Sequence, residues 1–238
     1  MNSLRRRMGS LAFALGTAIA ACWGEDAPPQ ELRLPALIVP PEAAAPVEPA
    51  TPPFDAVPKV EDPQNPERLA APYVDEGFAE FRSRNFKAAL AAFDKALHIH
   101  PGDRRARFGL GTALIADREY VKARNVLESL AKDFPDDYTV KNNLAWLYAT
   151  AADPQVRDGP RALRYAQEVV IMAPRDHHVW STLAEAYFIN EKYEDALRAA
   201  NEALRLLQSV TREPSLLKEY ERQVAKCRLA VQALSILE

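Results

Sequence analysis

Residues 104–137 read RRARFGLGTALIADREYVKARNVLESLAKDFPDD, and this 34-residue stretch sets the period on which the rest of the chain is built. Leu110 and Leu144 lie 34 residues apart, whereas Leu144 and Leu183 lie 39 apart. Columns of alanine and proline shift by the same five residues, which indicates one insertion between Leu144 and Ala162. A fixed period of this length predicts tandem repeats, each of them a pair of antiparallel helices.

The repeat columns resemble the tetratricopeptide repeat (TPR), whose pattern is W-x2-LG-x2-Y, then A-x3-F, then P. The resemblance covers residues 70–208 and implies an all-α, right-handed TPR solenoid with repeats at 70–103, 104–137, 138–176 (with the insertion) and 177–208. The residues that carry it are Tyr73, Gly77, Ala89, Phe93 and Pro101, then Leu110, Gly111, Leu114, Ala123, Leu127 and Pro135, then Leu144, Ala145, Tyr148, Ala162, Ala166 and Pro174, and finally Trp180, Leu183, Ala184, Tyr187, Ala196, Ala200 and Ala203.

Each column has a packing role. Small residues such as Gly77 and Ala89 are expected to face each other, so that the two helices of a repeat approach closely. Aspartates after the repeat boundaries, for example Asp103 and Asp137, supply N-cap chemistry for the next helix. The insertion at 151–159 predicts a longer loop within the third repeat, either neutral or partner-binding, with Pro160 in the first turn of the helix that follows.

Residues 209–238 form the last segment and predict a capping helix from Ser215 to about Leu237. Pro214 permits a new helix start, and Cys227 is interpreted as a packing residue. A solenoid needs an end cap with a polar outer face, which charged residues on this helix would provide. The apolar residues expected on its inner side are Leu216, Leu217, Val224, Leu229, Ala230, Leu234 and Leu237.

Residues 1–21 have the layout of a secretory signal peptide, with Arg5–Arg7 followed by an apolar stretch that is too short to span a bilayer. Its end, Ile19-Ala20-Ala21-Cys22, resembles a bacterial lipobox. This resemblance implies lipidation of Cys22 and anchoring on the periplasmic face of a membrane, and Trp23 favours the outer membrane. The alternative is an ordinary signal peptide and a soluble periplasmic or secreted protein.

Residues 22–69 follow as a linker. Twelve of the 19 prolines lie between Pro28 and Pro66, and residues 23–69 carry nine acids against three bases. Such a composition predicts a disordered, semi-extended spacer. Because the whole chain has a net charge of −3, residues 70–238 are close to neutral, which argues against nucleic acid as a partner.

The repeats carry no recognisable catalytic motif. The four histidines, at 98, 100, 177 and 178, lack cysteine or paired-acid neighbours at metal-ligand spacing, so we expect no metal site. The sequence therefore predicts a protein that is not an enzyme and has no cofactor and no small-molecule substrate.

The TPR resemblance implies that the first helix of each repeat lines a concave groove that binds a peptide or a partner helix. The aromatic content of the groove positions suggests recognition of apolar side chains, and Asn142 and Asn143 are candidates for hydrogen bonds to a peptide backbone. The alternative is that some of the aromatic residues, Phe81 and Phe188 in particular, are covered by packing between repeats. The lysine-and-asparagine carboxylate clamp of some cytosolic TPR domains is not matched. The predicted partner-binding residues are Val74, Phe78, Phe81, Arg105, Phe108, Thr112, Asn142, Trp146, His178, Glu185 and Phe188.

These features predict a non-catalytic adaptor or scaffold of the bacterial cell envelope. The alternative is a permanent structural subunit of an envelope assembly or of a secretion or pilus complex.

Overall fold

The computed structural model describes residues 65–237, and every regular element in that part of the chain is an α-helix. The signal peptide, Cys22 and almost all of the linker lie outside the described residues. The helices are α1 (Pro66–Arg82), α2 (Phe86–Ile99), α3 (Arg104–Ala116), α4 (Tyr120–Asp133), α5 (Tyr138–Thr150), α6 (Gly159–Met172), α7 (His177–Ile189), α8 (Tyr193–Val210) and α9 (Pro214–Leu237).

The first eight helices form four antiparallel pairs that stack in sequence order. Each pair corresponds to one repeat expected from the 34-residue period, and the predicted all-α class is confirmed for the described residues. Successive first helices also pack against one another, so α1, α3, α5 and α7 make one layer of the array. This layer decides which of the predicted groove residues stay accessible.

The helix starts follow the predicted N-cap chemistry. The carboxylate of Asp103 accepts a hydrogen bond of 2.8 Å from the backbone N–H of Ala106 in the first turn of α3. Asp137 and Asp176 cap α5 and α7 in the same way. Each cap satisfies amides that would otherwise have no intrahelical partner, so the aspartates fix where each repeat begins.

A close approach of helices around Phe93 holds the first two repeats together. The Phe93 side chain is fully buried on α2, and its ring meets that of Phe78 edge to face at a centroid distance of 5.0 Å. Gly77 of α1 and Gly109 of α3 border the same ring, because a Cβ on either glycine would lie within 2.5 Å of it. Gly109 stands outside the repeat columns, and the sequence comparison of the repeats missed its role.

The insertion forms the predicted loop between α5 and α6, but it folds back onto the array. Val156 is 2% exposed, and the Arg157 Nε donates a hydrogen bond of 2.7 Å to the carbonyl oxygen of Ala151. Asp158 caps α6 by accepting from the backbone N–H of Arg161 at 2.9 Å. The loop is therefore anchored at its middle and at both ends.

The terminal helix α9 packs as the predicted cap, and two of the seven residues expected on its inner side, Val224 and Ala230, are buried. Tyr220, Val224, Cys227 and Ala230 are buried against the preceding helices. Leu229 and Leu234, which were expected on the inner side, are exposed. The buried residues still recur at helical spacing. The prediction counted aliphatic residues only, so it overlooked Tyr220 and Cys227 as inward-facing residues.

Candidate partner-binding surface

The structure buries seven of the eleven residues predicted to contact a partner. They lie between successive first helices, because α1, α3, α5 and α7 pack side by side and their facing positions fill the seams. Most of the aromatic rings expected to line the groove are therefore inaccessible in the structure, and their contact with a partner stays a prediction. The seven buried residues are Val74, Phe78, Phe81, Phe108, Thr112, Asn142 and Trp146, all at most 7% exposed.

Two asparagines expected to bind a peptide backbone also lie inside the array. Asn142 and Asn143 are fully buried on α5. The side-chain amide of Asn143 donates a 3.0 Å hydrogen bond to Oγ1 of Thr112 on α3, and that hydroxyl donates at 2.9 Å to the carbonyl oxygen of Phe108. This chain of hydrogen bonds connects the first helices of the second and third repeats. Asn143 and Thr112 therefore help to fix the position of α5 relative to α3.

Four predicted residues stay partly exposed: Arg105, His178, Glu185 and Phe188. The Arg105 guanidinium forms an ion pair with Asp75 at 3.0 Å, and it lies 5.8 Å from the ring centroid of Phe78. The accessible part of the predicted surface is therefore mainly polar.

The richest accessible cluster lies where α7 meets α9. Glu185 accepts hydrogen bonds from Lys226 Nζ at 2.6 Å and from the Gln223 side-chain amide at 3.0 Å. The Lys226 ammonium lies 4.0 Å from the ring centroid of Phe188, a cation–π geometry. Phe188 in turn meets Tyr193 edge to face at 5.3 Å. We name these five residues the Phe188 cluster.

The contribution of α9 to this cluster was not predicted. The sequence analysis did not single out Gln223 or Lys226, because nothing local to α9 shows which helix it faces. Gln223 also accepts a hydrogen bond of 2.9 Å from the Ser181 hydroxyl. The cap thereby extends the layer of first helices by one element and adds a cation to it.

Two adjacent histidines at the start of α7 form a second cluster with Asp176. His178 Nδ1 lies 2.8 Å from an Asp176 carboxylate oxygen, and His177 Nδ1 lies 2.8 Å from the hydroxyl of Tyr220 on α9. The imidazole centroids are 4.0 Å apart, with 33° between the rings. One ligand atom from each of Asp176, His177 and His178 lies within 4.8 Å of the others, a spacing at which the three residues could hold a metal ion, and the sequence analysis did not expect such a group.

Burial lowers the pKa of His177 to about 4, and the neighbouring His178 acts in the same direction. His177 is therefore neutral near pH 7, which suits its contact with the buried Tyr220. The pair connects the beginning of the fourth repeat to the cap.

Cys227 is the cysteine within the described residues, and its thiol is buried. Burial raises its pKa to about 12, and the Glu185 carboxylate adds to the effect. The reactive form of cysteine is the thiolate, so this thiol is suited to packing, as the sequence indicated. Among residues 65–237, no helix combines the length and apolar character needed to cross a bilayer.

Comparisons with known proteins agree with this architecture. Two family models described as tetratricopeptide repeat match residues 80–148 and 154–209, together more than half of the chain. Superkiller protein 3 of Schizosaccharomyces pombe is 31% identical over 111 residues, which are 47% of this chain and only 8% of that relative.

The similar solved structures have low sequence identity to this chain. The structure of the APC/C hetero-tetramer Cut9–Hcn1 superposes with a TM-score of 0.60 at 16% identity, over 74% of this chain and 32% of that one. MamA from Desulfovibrio magneticus RS-1 gives a TM-score of 0.49 at 18% identity, over 71% of this chain and 94% of that one. Tandem helical repeats of this kind present extended surfaces for binding proteins. With its four helix pairs, its repeat columns and both model matches, the chain belongs to the tetratricopeptide repeat family.

Proposed function

We propose that this chain is a non-catalytic adaptor that holds a protein partner at a bacterial cell envelope. The observation that carries the proposal is the Phe188 cluster, a partly exposed aromatic ring with a cation above it at the capped end of a repeat array. A ring of this kind offers apolar contact area at little entropic cost, and aromatic residues are enriched where proteins bind one another. The repeat family supports the binding role.

The partner that suits this surface is a peptide or helix with an apolar side chain next to an acidic one. The apolar side chain would contact Phe188, and the acidic one would approach Lys226. Lys226 is already paired with Glu185, whose side chain is only 14% exposed. An incoming carboxylate would therefore share the ammonium, and the contact would weaken as salt increases.

Pull-down from the native membrane tests this surface. The expected result is a partner that the wild-type chain retains and a Phe188→Asp variant loses. Lys132→Glu is the matched control, because Lys132 is an exposed residue of α4, away from the cluster. Retention of the same partner by Phe188→Asp, with the fold intact by circular dichroism, would show that another surface binds it.

The envelope location rests on the sequence of the first 22 residues, outside the described part of the chain. Lipid on Cys22 would provide the anchor, since several acyl chains hold a protein stably on a membrane. A Cys22→Ser variant is expected to move from the membrane to the soluble fraction, whereas Cys227→Ser is expected to stay. Full membrane retention of Cys22→Ser would contradict lipid anchoring.

A permanent structural subunit is the second candidate, and exposed apolar residues on α9 favour it. Leu229 is 51% exposed and Ile236 is 82% exposed on this terminal helix. A subunit that buries them in a larger assembly would elute as an oligomer or aggregate when purified alone. A stable monomer on size-exclusion chromatography would favour the adaptor.

A further inference from the structure

The first repeat carries apolar side chains at positions where the second repeat carries polar ones. Residues 34 apart occupy equivalent places in the two repeats, and Tyr73, Ala91 and Ile99 correspond to Arg107, Asn125 and Asp133. In the second repeat these polar residues stay at least partly exposed, and Arg107 forms an ion pair with Asp133 at 2.7 Å.

A shallow pocket lies at these apolar positions, between α1 and α2 of the first repeat. Tyr73 and Ile99 are its half-buried apolar residues, and Leu69, 47% exposed, lies one turn before Tyr73 on α1. Because α1 and α2 are antiparallel, the carboxyl end of α2 lies beside the start of α1, where the preceding chain arrives. The pocket is lined by Tyr73, Ala91, Asp94, Lys95, His98 and Ile99.

One segment of the preceding chain has the composition to fill this pocket. Residues 31–39 read ELRLPALIV, with five large aliphatic side chains among nine residues. The rest of the stretch between Cys22 and Asn65 contains such residues only singly. The segment also carries one acid and one base, Glu31 and Arg33, beside its first leucines. The pocket offers the complementary pair, Lys95 and Asp94.

The chain between the segment and α1 is long enough for this contact. Residues 40–64 span roughly 28 Å even as a flexible coil, and proline makes such a linker more extended. The 14 residues of α2 extend only about 21 Å. A tether of this kind gives an effective concentration of about millimolar, so a contact with a dissociation constant of roughly 0.1 mM would be occupied most of the time.

We propose that residues 31–39 dock into the pocket of their own chain between α1 and α2. The leucines bury Tyr73 and Ile99, and the charged pair on each side fixes the direction of the segment. The contact also shortens the spacer between Cys22 and the array to the residues before Glu31. This contact is independent of what binds at the Phe188 cluster, which lies in the fourth repeat.

Photo-crosslinking of the full chain tests the contact directly. Ala91 is an exposed residue of the pocket and is replaced by p-benzoylphenylalanine; the control places the same group at Lys132 on α4. We expect irradiation at position 91 to give a product of monomer mass, with the link mapped by mass spectrometry to residues 31–39. Links between two chains, links to another segment, or no link would each overturn the proposal.

A second pair of variants separates the contact from general effects of the linker. Leu34→Asp with Leu37→Asp is expected to abolish the link from position 91 and to lower hydrogen-exchange protection at the start of α1 about tenfold. The control, Val47→Asp with Val57→Asp, adds the same charge to the same linker and is expected to change neither. The proposal would be overturned if both variants lost the crosslink and the protection equally, or if protection of α1 were unchanged in Leu34→Asp with Leu37→Asp.

Discussion

Replacing Gly109 with alanine tests the packing that joins the first two repeats. A Cβ at this position would lie 2.3 Å from the Cε1 and Cζ atoms of Phe93. Ordinary contact between carbon atoms requires more than an ångström of additional separation. The ring has little room to retreat, because it is fully buried and a Cβ on Gly77 would already meet it at 2.5 Å.

Two opposing effects set the size of the change. Overpacking a closed core costs about 1–3 kcal/mol, and the lack of free space around Phe93 points to the upper half of that range. Alanine also favours a helix over glycine by about 1 kcal/mol. We therefore expect Gly109→Ala to lower the free energy of unfolding by about 1–2 kcal/mol, although the same substitution at an open helical position would raise it.

Urea unfolding followed by circular dichroism measures this difference. The control is Gly102→Ala in an exposed turn, where the nearest atom is His100 Nε2 at 3.7 Å, and there we expect a change within about 0.5 kcal/mol. Adding Phe93→Leu to Gly109→Ala should cost less than the sum of the two single changes. A Gly109→Ala variant as stable as the parent chain would refute the close approach of α3 to this ring.

Three further outcomes follow from polar groups that are buried or half-buried. Tyr148→Phe should lower the free energy of unfolding by about 2 kcal/mol in urea titration, because the hydroxyl contacts Glu128 at 2.5 Å and Arg161 at 2.9 Å. Because folding lowers the pKa of His177 from 6.5 to about 4, its contribution to the free energy of unfolding is complete above pH 6.5 and declines as the pH falls towards 4. For this half-exposed ring we expect the pH-dependent part to be about 1 kcal/mol after screening by solvent. This pH dependence should be absent in His177→Gln. Cys227, with a thiol pKa of about 12, should react with a thiol reagent many-fold faster after unfolding.

The architecture was predictable because its signals are local and repeated. A 34-residue period, an N-cap aspartate at three boundaries and one shared five-residue shift each depend on a few neighbouring residues. The loop between α5 and α6 followed from the shift, and Asp158 caps α6 beside Pro160 as the sequence allowed. Such features can be predicted without knowing how the helices pack, because capping and helical phase involve a single helix and its ends.

The accessible surface was less predictable, because it depends on distances between helices. Helical phase places Phe78 and Trp146 on the side shared by successive first helices, but it does not say how closely those helices pack. In the structure they are close enough to bury both rings. The role of Gly109 could have been inferred from the sequence, since a second glycine two residues before Gly111 departs from the repeat columns. The contact of Lys226 with Phe188 could not, because Phe188 belongs to another helix.

The burial of the predicted groove residues changes where recognition is expected. Asn143 joins α3 to α5 through Thr112, and Gln223 joins α7 to α9 through Ser181, so displacing either helix would leave buried polar groups without partners. Separating these hydrogen-bonded helices would cost free energy, so the layer of first helices should be rigid. Binding should then depend on side chains that the support leaves partly exposed. Substitutions around Phe188 should alter partner affinity with little loss of stability, whereas substitutions at Asn143 should do the reverse.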